Sequence, residues 1–173
     1  MISCHKCETN TVGLIYLLHV RAMLNASKIS SHGFRKDDRF EVTACATVVG
    51  TINDNDSTFE LDKQCFSITR SGAFAPRFDL KSGGVLIATA RQKPFRNYYT
   101  LAFGGKDWTF KAVVLLATQF GLFEDDTQRG SVSAGPPLHR LKDIMADLPD
   151  ELPREIQMFL LSLFVRQLTA SAN

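Results

Sequence analysis

Polar and apolar positions alternate along most of the chain between residues 34 and 134, which is the period-two pattern of a half-buried strand. The stretch "RFEVTACATVVGTI", residues 39–52, is rich in β-branched residues. Shorter stretches of the same kind follow, several of them ahead of Gly or Asp turn residues: "QCFSITR", "RFDL", "VLIATAR", "NYYTLAF", "WTFKAVVLL", "QFGLF" and "GSVSA". Short strands at such even spacing are typical of a β-sandwich or a β-barrel.

An internal repeat runs through this region, with successive copies 21 residues apart. Each copy contains an aromatic residue, any residue and Leu, with a bulky apolar residue four positions earlier and a turn pair three positions after the Leu. Three copies in phase predict a reiterated hairpin, and a meander of hairpins closes naturally into a barrel. The copies are Phe78–Leu80, Tyr99–Leu101 and Phe120–Leu122; the earlier bulky residues are Phe74, Phe95 and Leu116; the turn pairs are Gly83-Gly84, Gly104-Gly105 and Asp125-Asp126.

The pattern changes near the C-terminus, where "ELPREIQMFLLSLFVRQL" has no polar face. Seven of the eight residues in the range 158–165 are apolar, so a helix here must be enclosed on every side. Its apolar run is about half of the ~20 residues that a membrane span needs, and charged residues flank both ends. We therefore expect a helix over 153–168, with Pro153 in its first turn, that lies inside the closed sheet rather than in a membrane.

Composition agrees with a single globular domain. The chain has 173 residues, of which 45% are hydrophobic and 22% charged, so it is long enough to bury a sizeable core. A net charge of +2 gives no reason to expect a nucleic-acid partner. No phosphate-binding loop, hydrolase nucleophile elbow or zinc-protease motif occurs, so the sequence predicts no catalytic residue and no cofactor.

The four cysteines raise the question of a metal or redox site. Cys4 and Cys7 have the spacing of half a zinc site, but a structural zinc site needs four ligands and a second close pair is missing. A redox pair would follow a strand and begin a helix, whereas this pair stands at the N-terminus. We expect no metal, with Cys4 and Cys7 as weak candidate ligands, and a reduced, cytoplasmic protein.

Residues 1–33 differ in sequence pattern from the rest of the chain. We expect an N-terminal extension there, ahead of a barrel domain over 34–170. The stretch Val12–Val20 is apolar, but the charges before it and the residues after it do not fit a signal peptide. Two alternatives stay open for this part: a disordered, amphipathic or strand-like extension, or a true start at Met23.

Three stretches resemble the tubby C-terminal-like superfamily, in particular its bacterial LURP-one-related and phospholipid-scramblase-like members. They are "FSITRSGAFAPRFDLKSGGVLIATARQKPFRNYYTLAFGGKDWTFKA", "QFGLFEDDTQRGSV" and "DLPDELPREIQMFLLSLFVRQL". The likeness covers about residues 58–168. It implies a mainly β fold: a closed antiparallel barrel of about twelve strands around a buried hydrophobic C-terminal helix.

The resemblance also implies a class of function, since tubby proteins bind membrane phosphoinositides through a basic surface and scramblase relatives are tied to lipid movement. We expect a non-catalytic binding or scaffold domain, peripheral at the membrane, whose partner is an anionic phospholipid or a protein. The alternative is a small-ligand carrier or enzyme with a pocket at the barrel mouth, which needs a cavity of about 300 Å³ or more. The candidate headgroup-binding residues are Arg77, Lys81, Arg91, Lys93 and Arg96, with Lys106 beside them.

These basic residues also have a plainer interpretation. Asp79 and Asp107 interleave with them in the sequence, as they would on any solvated barrel exterior. The two interpretations differ in whether the cations converge on one surface.

Overall fold

A computed structural model describes residues 23–29, 39–94, 96–114, 118–135 and 143–171. They form a closed barrel of twelve strands with one helix inside it. The elements are β1 Leu24–Lys28, β2 Arg39–Ala44, β3 Thr47–Asn53, β4 Thr58–Leu61, β5 Gln64–Ser71, β6 Arg77–Ser82, β7 Val85–Gln92, β8 Tyr98–Phe103, β9 Lys106–Ala112, β10 Gln119–Glu124, β11 Thr127–Ala134, β12 Asp143–Asp147 and α1 Arg154–Ser171.

The sheet is a continuous antiparallel meander. Each strand pairs with its neighbours in the chain, and β1 closes the barrel by pairing with β2 on one side and with β12 on the other. Leu24, for example, lies opposite both Ala44 and Ala146. The expected closed antiparallel barrel is therefore confirmed.

The two ends of the barrel differ in their connections. At one end, which we call the tight-turn end, five hairpins turn through two residues that both have positive φ. This is the type I′ geometry, whose twist matches that of the flanking strands. At the opposite end, the loop end, connections are longer, such as 72–76 between β5 and β6. The five turn pairs are Cys45-Ala46, Asp62-Lys63, Gly83-Gly84, Gly104-Gly105 and Asp125-Asp126.

The repeat has the predicted conformation, and two further strands bury a similar pair of residues. In all three copies the aromatic residue and the Leu are buried inside the barrel, and the turn pair follows at the tight-turn end. Phe40 with Val42 on β2, and Phe59 with Leu61 on β4, are buried in the same way, although their spacing differs from that of the three copies. Phe74, in contrast, is 81% exposed, so it is not part of the core. Phe95 and Leu116 lie outside the described residues.

Every second hairpin at the tight-turn end contains a register shift. The shifts lie after Val42 in β2, after Leu80 in β6 and after Leu122 in β10, whereas the hairpins β4–β5 and β8–β9 pair without interruption. A bulge of this kind increases the local twist and bends the strand. Such bends help twelve strands close around a single helix.

Helix α1 runs through the barrel from the tight-turn end to the loop end. Phe164 meets the ring of Phe120 edge to face, with 5.4 Å between the ring centroids. At the loop end the Thr169 hydroxyl donates a 2.8 Å hydrogen bond to Asp54 in the β3–β4 connection. Eight residues of the helix are at most 1% exposed: Ile156, Met158, Phe159, Leu160, Leu161, Leu163, Phe164 and Val165. The prediction of an enclosed helix is confirmed, with bounds of Arg154–Ser171.

A buried glutamine fixes the entry to this helix. The backbone carbonyl of Pro153 accepts hydrogen bonds from the N–H groups of Ile156 and Gln157, so Pro153 begins the first turn as expected. The side-chain amide of Gln157 donates to the carbonyls of Pro149 and Leu152. These bonds satisfy two backbone carbonyls of the 148–153 segment where it crosses the tight-turn end. No helix in the described part of the chain is long and apolar enough to cross a bilayer.

The predicted boundary at residue 33 is wrong, because β1 belongs to the barrel. Leu24 and Ala26 are fully buried and fill the wall between β2 and β12. A strand of five residues with two inward apolar side chains has too short an alternation to stand out in the sequence. Residues 1–22, with Cys4 and Cys7, lie outside the described residues.

We expect Phe164→Ala to lower the free energy of unfolding by about 3–5 kcal/mol, because the Phe164 ring is fully buried against Phe120 and its loss leaves a cavity. Urea denaturation followed by circular dichroism measures this change. Val85→Ala is the control, since Val85 is 69% exposed and its truncation should change stability by less than about 0.5 kcal/mol. Equal effects of the two substitutions would contradict an enclosed helix.

We expect Ala46→Gly to stabilise the protein by about 0.5–1 kcal/mol, because a left-handed backbone is costly for residues with a Cβ atom. Ala46 has a φ of 63° in the β2–β3 turn. The same change at the exposed Ala102 of β8, where the backbone is extended, should instead destabilise by a similar amount. Thermal unfolding of the two variants tests the sign, and destabilisation by Ala46→Gly would argue against the type I′ turn.

Candidate functional site

The candidate basic surface lies on the outer wall of the barrel, where β6, β7, β8 and β9 run side by side. Inward and outward residues alternate along a strand, so Arg77 and Asp79, which flank the buried Phe78, point outward from β6. Arg77 lies directly opposite Arg91 of β7, and Arg91 lies opposite Thr100 of β8. Two of the predicted residues are thus brought together in the loop-end half of the wall.

An open groove of about 310 Å³ crosses this part of the wall. Its middle is lined by the small side chains of Thr89, Thr100 and Ala102. The arginine pair lies toward the loop end of the groove, and Asp107, opposite Ala102, lies toward the tight-turn end. The complete lining is Arg77, Thr89, Arg91, Thr100, Leu101, Ala102 and Asp107.

Arg77 is held in place by an ion pair with Asp79. The Nε atom of Arg77 lies 2.7 Å from Oδ1 of Asp79, and the Thr89 hydroxyl donates a second 2.7 Å hydrogen bond to the same oxygen. Burial alone would raise the pKa of the Asp79 carboxyl, but hydrogen bonds from Thr89 and Arg77 outweigh it and lower that pKa. The carboxylate therefore stays charged and orients the Arg77 guanidinium.

Arg91 has no carboxylate partner among the residues that the structure describes. Its side chain is exposed, and its cross-strand neighbour is Arg77. Like charges opposite one another on adjacent strands repel. Asp79 offsets this repulsion on one side only, so the pair keeps an excess of positive charge that a bound anion would neutralise.

Lys93 and Arg96 lie in the β7–β8 connection, at the loop-end rim of the same wall. The backbone N–H of Lys93 donates to the carbonyl of Tyr98, and the N–H of Arg96 donates to the carbonyl of Lys93. The Lys93 ammonium lies 4.3 Å from the centroid of the Tyr98 ring. Both basic side chains are exposed, so they add positive charge beside the arginine pair without closing the groove.

Lys81 and Lys106 are placed away from the arginine pair. Lys81 lies on β6 opposite Leu86, close to the Gly83-Gly84 turn, and four residue steps along the strand place it about 13 Å from Arg77. Lys106 begins β9 at the tight-turn end, where its ammonium lies 2.7 Å from Glu124. The hydrogen bond with Glu124 raises the pKa of Lys106 and lowers that of Glu124. The structure therefore groups four of the six basic residues and separates these two.

Two cavities, one small and one open, lie beside helix α1. A cavity of about 10 Å³, lined by Ser162, Leu163 and Arg166 together with residues of β3, β4 and β5, has room for about one water molecule. A wider, open depression of about 460 Å³ lies at the mouth of the tight-turn end, where the chain enters α1. Its lining mixes apolar and charged side chains: Leu61, Asp62, Gln64, Phe66, Ile87, Pro153, Arg154 and Glu155.

No group of three or more potential metal ligands is found within the residues that the structure describes. Cys45 and Cys65 are free and exposed. The acidic triplet 124–126 spans the end of β10 and its turn, where Glu124 pairs with Lys106 and with Arg129. Trp108 is 2% exposed and belongs to the core.

Sequence reasoning missed the neutral half of the groove. Thr89, Thr100 and Ala102 carry no charge and follow no motif, yet they provide the groove's hydroxyl groups and its depth. Strand alternation could have placed Thr89 and Arg91 on one outward face. The pairing of β8 with β7, which brings Thr100 beside them, depends on register and cannot be read from one strand.

Comparisons with protein-family models, with curated proteins and with solved structures found no match for this chain. Function is therefore inferred from the groove itself and from the resemblance described above.

We expect Tyr99→Phe to flatten the loss of stability at alkaline pH. The Tyr99 hydroxyl is buried and donates to Gln167 of the helix, and burial raises its pKa to about 12. An unfolded tyrosine ionises near pH 10, so the unfolded state loses its proton first and stability falls between pH 10 and pH 12, by up to about 2–3 kcal/mol. Urea denaturation at several pH values measures how the free energy of unfolding changes with pH in the native protein and in the variant. Identical slopes for the native protein and the variant would contradict the prediction.

Proposed function

We propose that this protein is a non-catalytic binding domain that docks reversibly on anionic membranes by holding a phospholipid headgroup in the wall groove. The observation that carries the proposal is the Arg77–Arg91 pair, two guanidinium groups on adjacent strands of which only Arg77 pairs with a carboxylate, that of Asp79. Arg91 has no carboxylate partner in the described ranges, and it lies beside Arg77, which Asp79 orients, in a groove lined by hydroxyl groups. This arrangement suits a phosphate.

The groove offers complementary chemistry for a phosphate ester. A guanidinium can bind two phosphate oxygens at once, which gives both strength and direction. The hydroxyl of the exposed Thr100 donates a long 3.5 Å hydrogen bond to the Arg91 carbonyl, and it can turn from that acceptor to a phosphate oxygen. Asp107, toward the other end, repels anions and favours the cationic or neutral part of a headgroup. The groove is therefore polarised, with a phosphate expected at Arg91.

We also propose kinship with the tubby C-terminal-like superfamily. Support comes from the architecture, since a twelve-stranded antiparallel barrel around a C-terminal helix is the fold that the resemblance implies. The phosphoinositide binding of tubby proteins makes a phosphoinositide the first headgroup to test. A protein partner on the same basic surface is the other outcome that this class of domain permits.

The alternative of a small-ligand carrier has less support from the geometry. The cavity beside α1, about 10 Å³, is far below the ~300 Å³ of a ligand pocket. The depression at the tight-turn mouth is large enough, but it is open and carries the charged side chains of Arg154 and Glu155 at its edge. A carrier of this kind would bind its ligand without regard to the charge of a membrane.

Arg91→Glu should weaken binding to anionic vesicles by at least about fivefold at low salt, because each cation near a charged membrane contributes about 1 kcal/mol. Flotation with phosphatidylcholine vesicles, with and without phosphatidylserine or a phosphoinositide, measures this. Lys63→Glu is the matched control, since it makes the same change of charge at the tight-turn end and should bind as the native protein does.

Added salt should weaken native binding, because it screens exposed charges. If the native protein binds equally with and without anionic lipid, or if Arg91→Glu and Lys63→Glu weaken vesicle binding equally, a headgroup does not bind in this groove. Equal binding to neutral vesicles would favour the carrier alternative or a protein partner.

A further inference from the structure

The loop end of the barrel presents apolar side chains on two of its connections. Phe74, in the β5–β6 connection, is 81% exposed, and its neighbours Ala73 and Ala75 are exposed as well. Val113 and Val114, which follow β9, are both exposed at this same end. An exposed aromatic ring adds nothing to the core, and exposed apolar side chains at one end of a barrel are candidates for a contact surface.

The conformation of the β5–β6 connection is fixed by its backbone. Gly72 has a φ of 80°, and a Cβ atom added there would lie 3.1 Å from the carbonyl oxygen of Ala75. On the far side, the carbonyl of Pro76 accepts a 2.8 Å hydrogen bond from the N–H of Gln92 in β7. The connection is therefore a compact turn anchored to the neighbouring strand, and the exposure of Phe74 is a property of its shape.

Basic residues lie between the two apolar connections. Three strand spacings separate β6 from β9, which is about 14 Å. Within that interval the β7–β8 connection carries Lys93 and Arg96, and Arg91 lies on the wall just below. None of these three has a carboxylate partner in the described ranges. The opposite end carries six exposed acidic residues beside the exposed Lys63 and Lys106: Asp62, Asp107, Asp125, Asp126, Asp150 and Glu151.

We propose that the loop end is a membrane-insertion surface, in which Phe74, Val113 and Val114 enter the acyl-chain boundary of an anionic bilayer. Lys93 and Arg96 then lie at the level of the phosphates, and the tight-turn end faces away. This inference rests on the proposed headgroup function and deepens it, because it gives the barrel one orientation on the membrane.

The charge pattern favours a lipid surface over a protein partner. Apolar side chains that flank unpaired cations match a bilayer interface, where hydrocarbon lies directly beneath a layer of anionic phosphates. The apolar residues project from separate connections on both sides of the cations, instead of forming one flat apolar patch. A protein partner would need carboxylates between two apolar pockets about 14 Å apart, estimated from strand spacing.

The direct test places an indole at the apex of the β5–β6 connection by Phe74→Trp. The native Trp108 is 2% exposed inside the barrel, so its emission should not change on binding. With vesicles of phosphatidylcholine and phosphatidylserine, the new indole should shift to shorter wavelength and be quenched by brominated acyl chains. In the native protein, brominated lipid should leave the emission unchanged.

A matched pair of truncations tests the orientation. Val114→Ala at the loop end should weaken partition into anionic vesicles, whereas Val85→Ala, the same change at the tight-turn end, should leave it unchanged. Phe74→Ala should weaken partition roughly tenfold, because a phenylalanine ring transferred from water is a large apolar contribution. Circular dichroism confirms that the three variants keep the native fold.

The outcomes separate this inference from the headgroup function. If native protein binds anionic vesicles through Arg91 while the indole of Phe74→Trp stays in water and Phe74→Ala binds normally, insertion is overturned and the headgroup function stands. If the indole is quenched but Arg91→Glu binds like the native protein, insertion stands and the groove loses its role. Absence of any binding to anionic vesicles overturns both. Quenching of the indole by a protein partner, with none by lipid, also overturns insertion.

Discussion

The structure depends on the mutual enclosure of an apolar helix and a closed sheet. Helix α1 satisfies its own backbone hydrogen bonds, so it can lie where an irregular segment would leave polar groups unpaired. Its side chains are apolar on all sides, and only a wall that surrounds it removes them from water. The barrel in turn needs the helix to occupy its interior, because twelve strands enclose a space wider than their own inward side chains can occupy. The repeated aromatic and aliphatic pairs, such as Phe120 with Leu122, meet the helix and complete the core.

The proposed binding surface lies on the outside of the barrel. The cavity beside Ser162 and Leu163 has room for only about one water molecule, whereas the wall groove is about 310 Å³. On the wall, the alternation of strand residues brings Arg77 and Arg91 together without any cost to the core. A surface of this kind can acquire charge by substitutions that change stability little. The core and the proposed binding surface are therefore carried by alternate residues of the same strands.

Much of the fold could be predicted from the sequence because its strongest signals are local. A helix with no polar face, and turn pairs in phase with buried aromatic residues, each require only a short window to detect. The misses depend on long-range pairing. Leu24 and Ala26 form a strand only because β2 and β12 leave a gap between them. Lys81 was grouped with Arg77 by sequence distance, but they lie at different heights on β6, and a register shift follows Leu80. Phe74 shared the repeat's spacing and still lies in solvent, because its connection turns outward before β6 begins.

The two ends of the barrel differ in how much change in the length of their connections they tolerate. Inserting one residue into a two-residue turn at the tight-turn end would exchange the inward and outward faces of the strand that follows, so lengths such as that of Asp62-Lys63 can scarcely drift over evolutionary time. The longer connections at the opposite end have no comparable restriction. New specificities could arise there by lengthening or exchanging whole connections while the hairpins keep their register. An engineer who wished to graft a foreign recognition segment onto this scaffold would begin at residues 72–76 and leave the hairpin tips untouched.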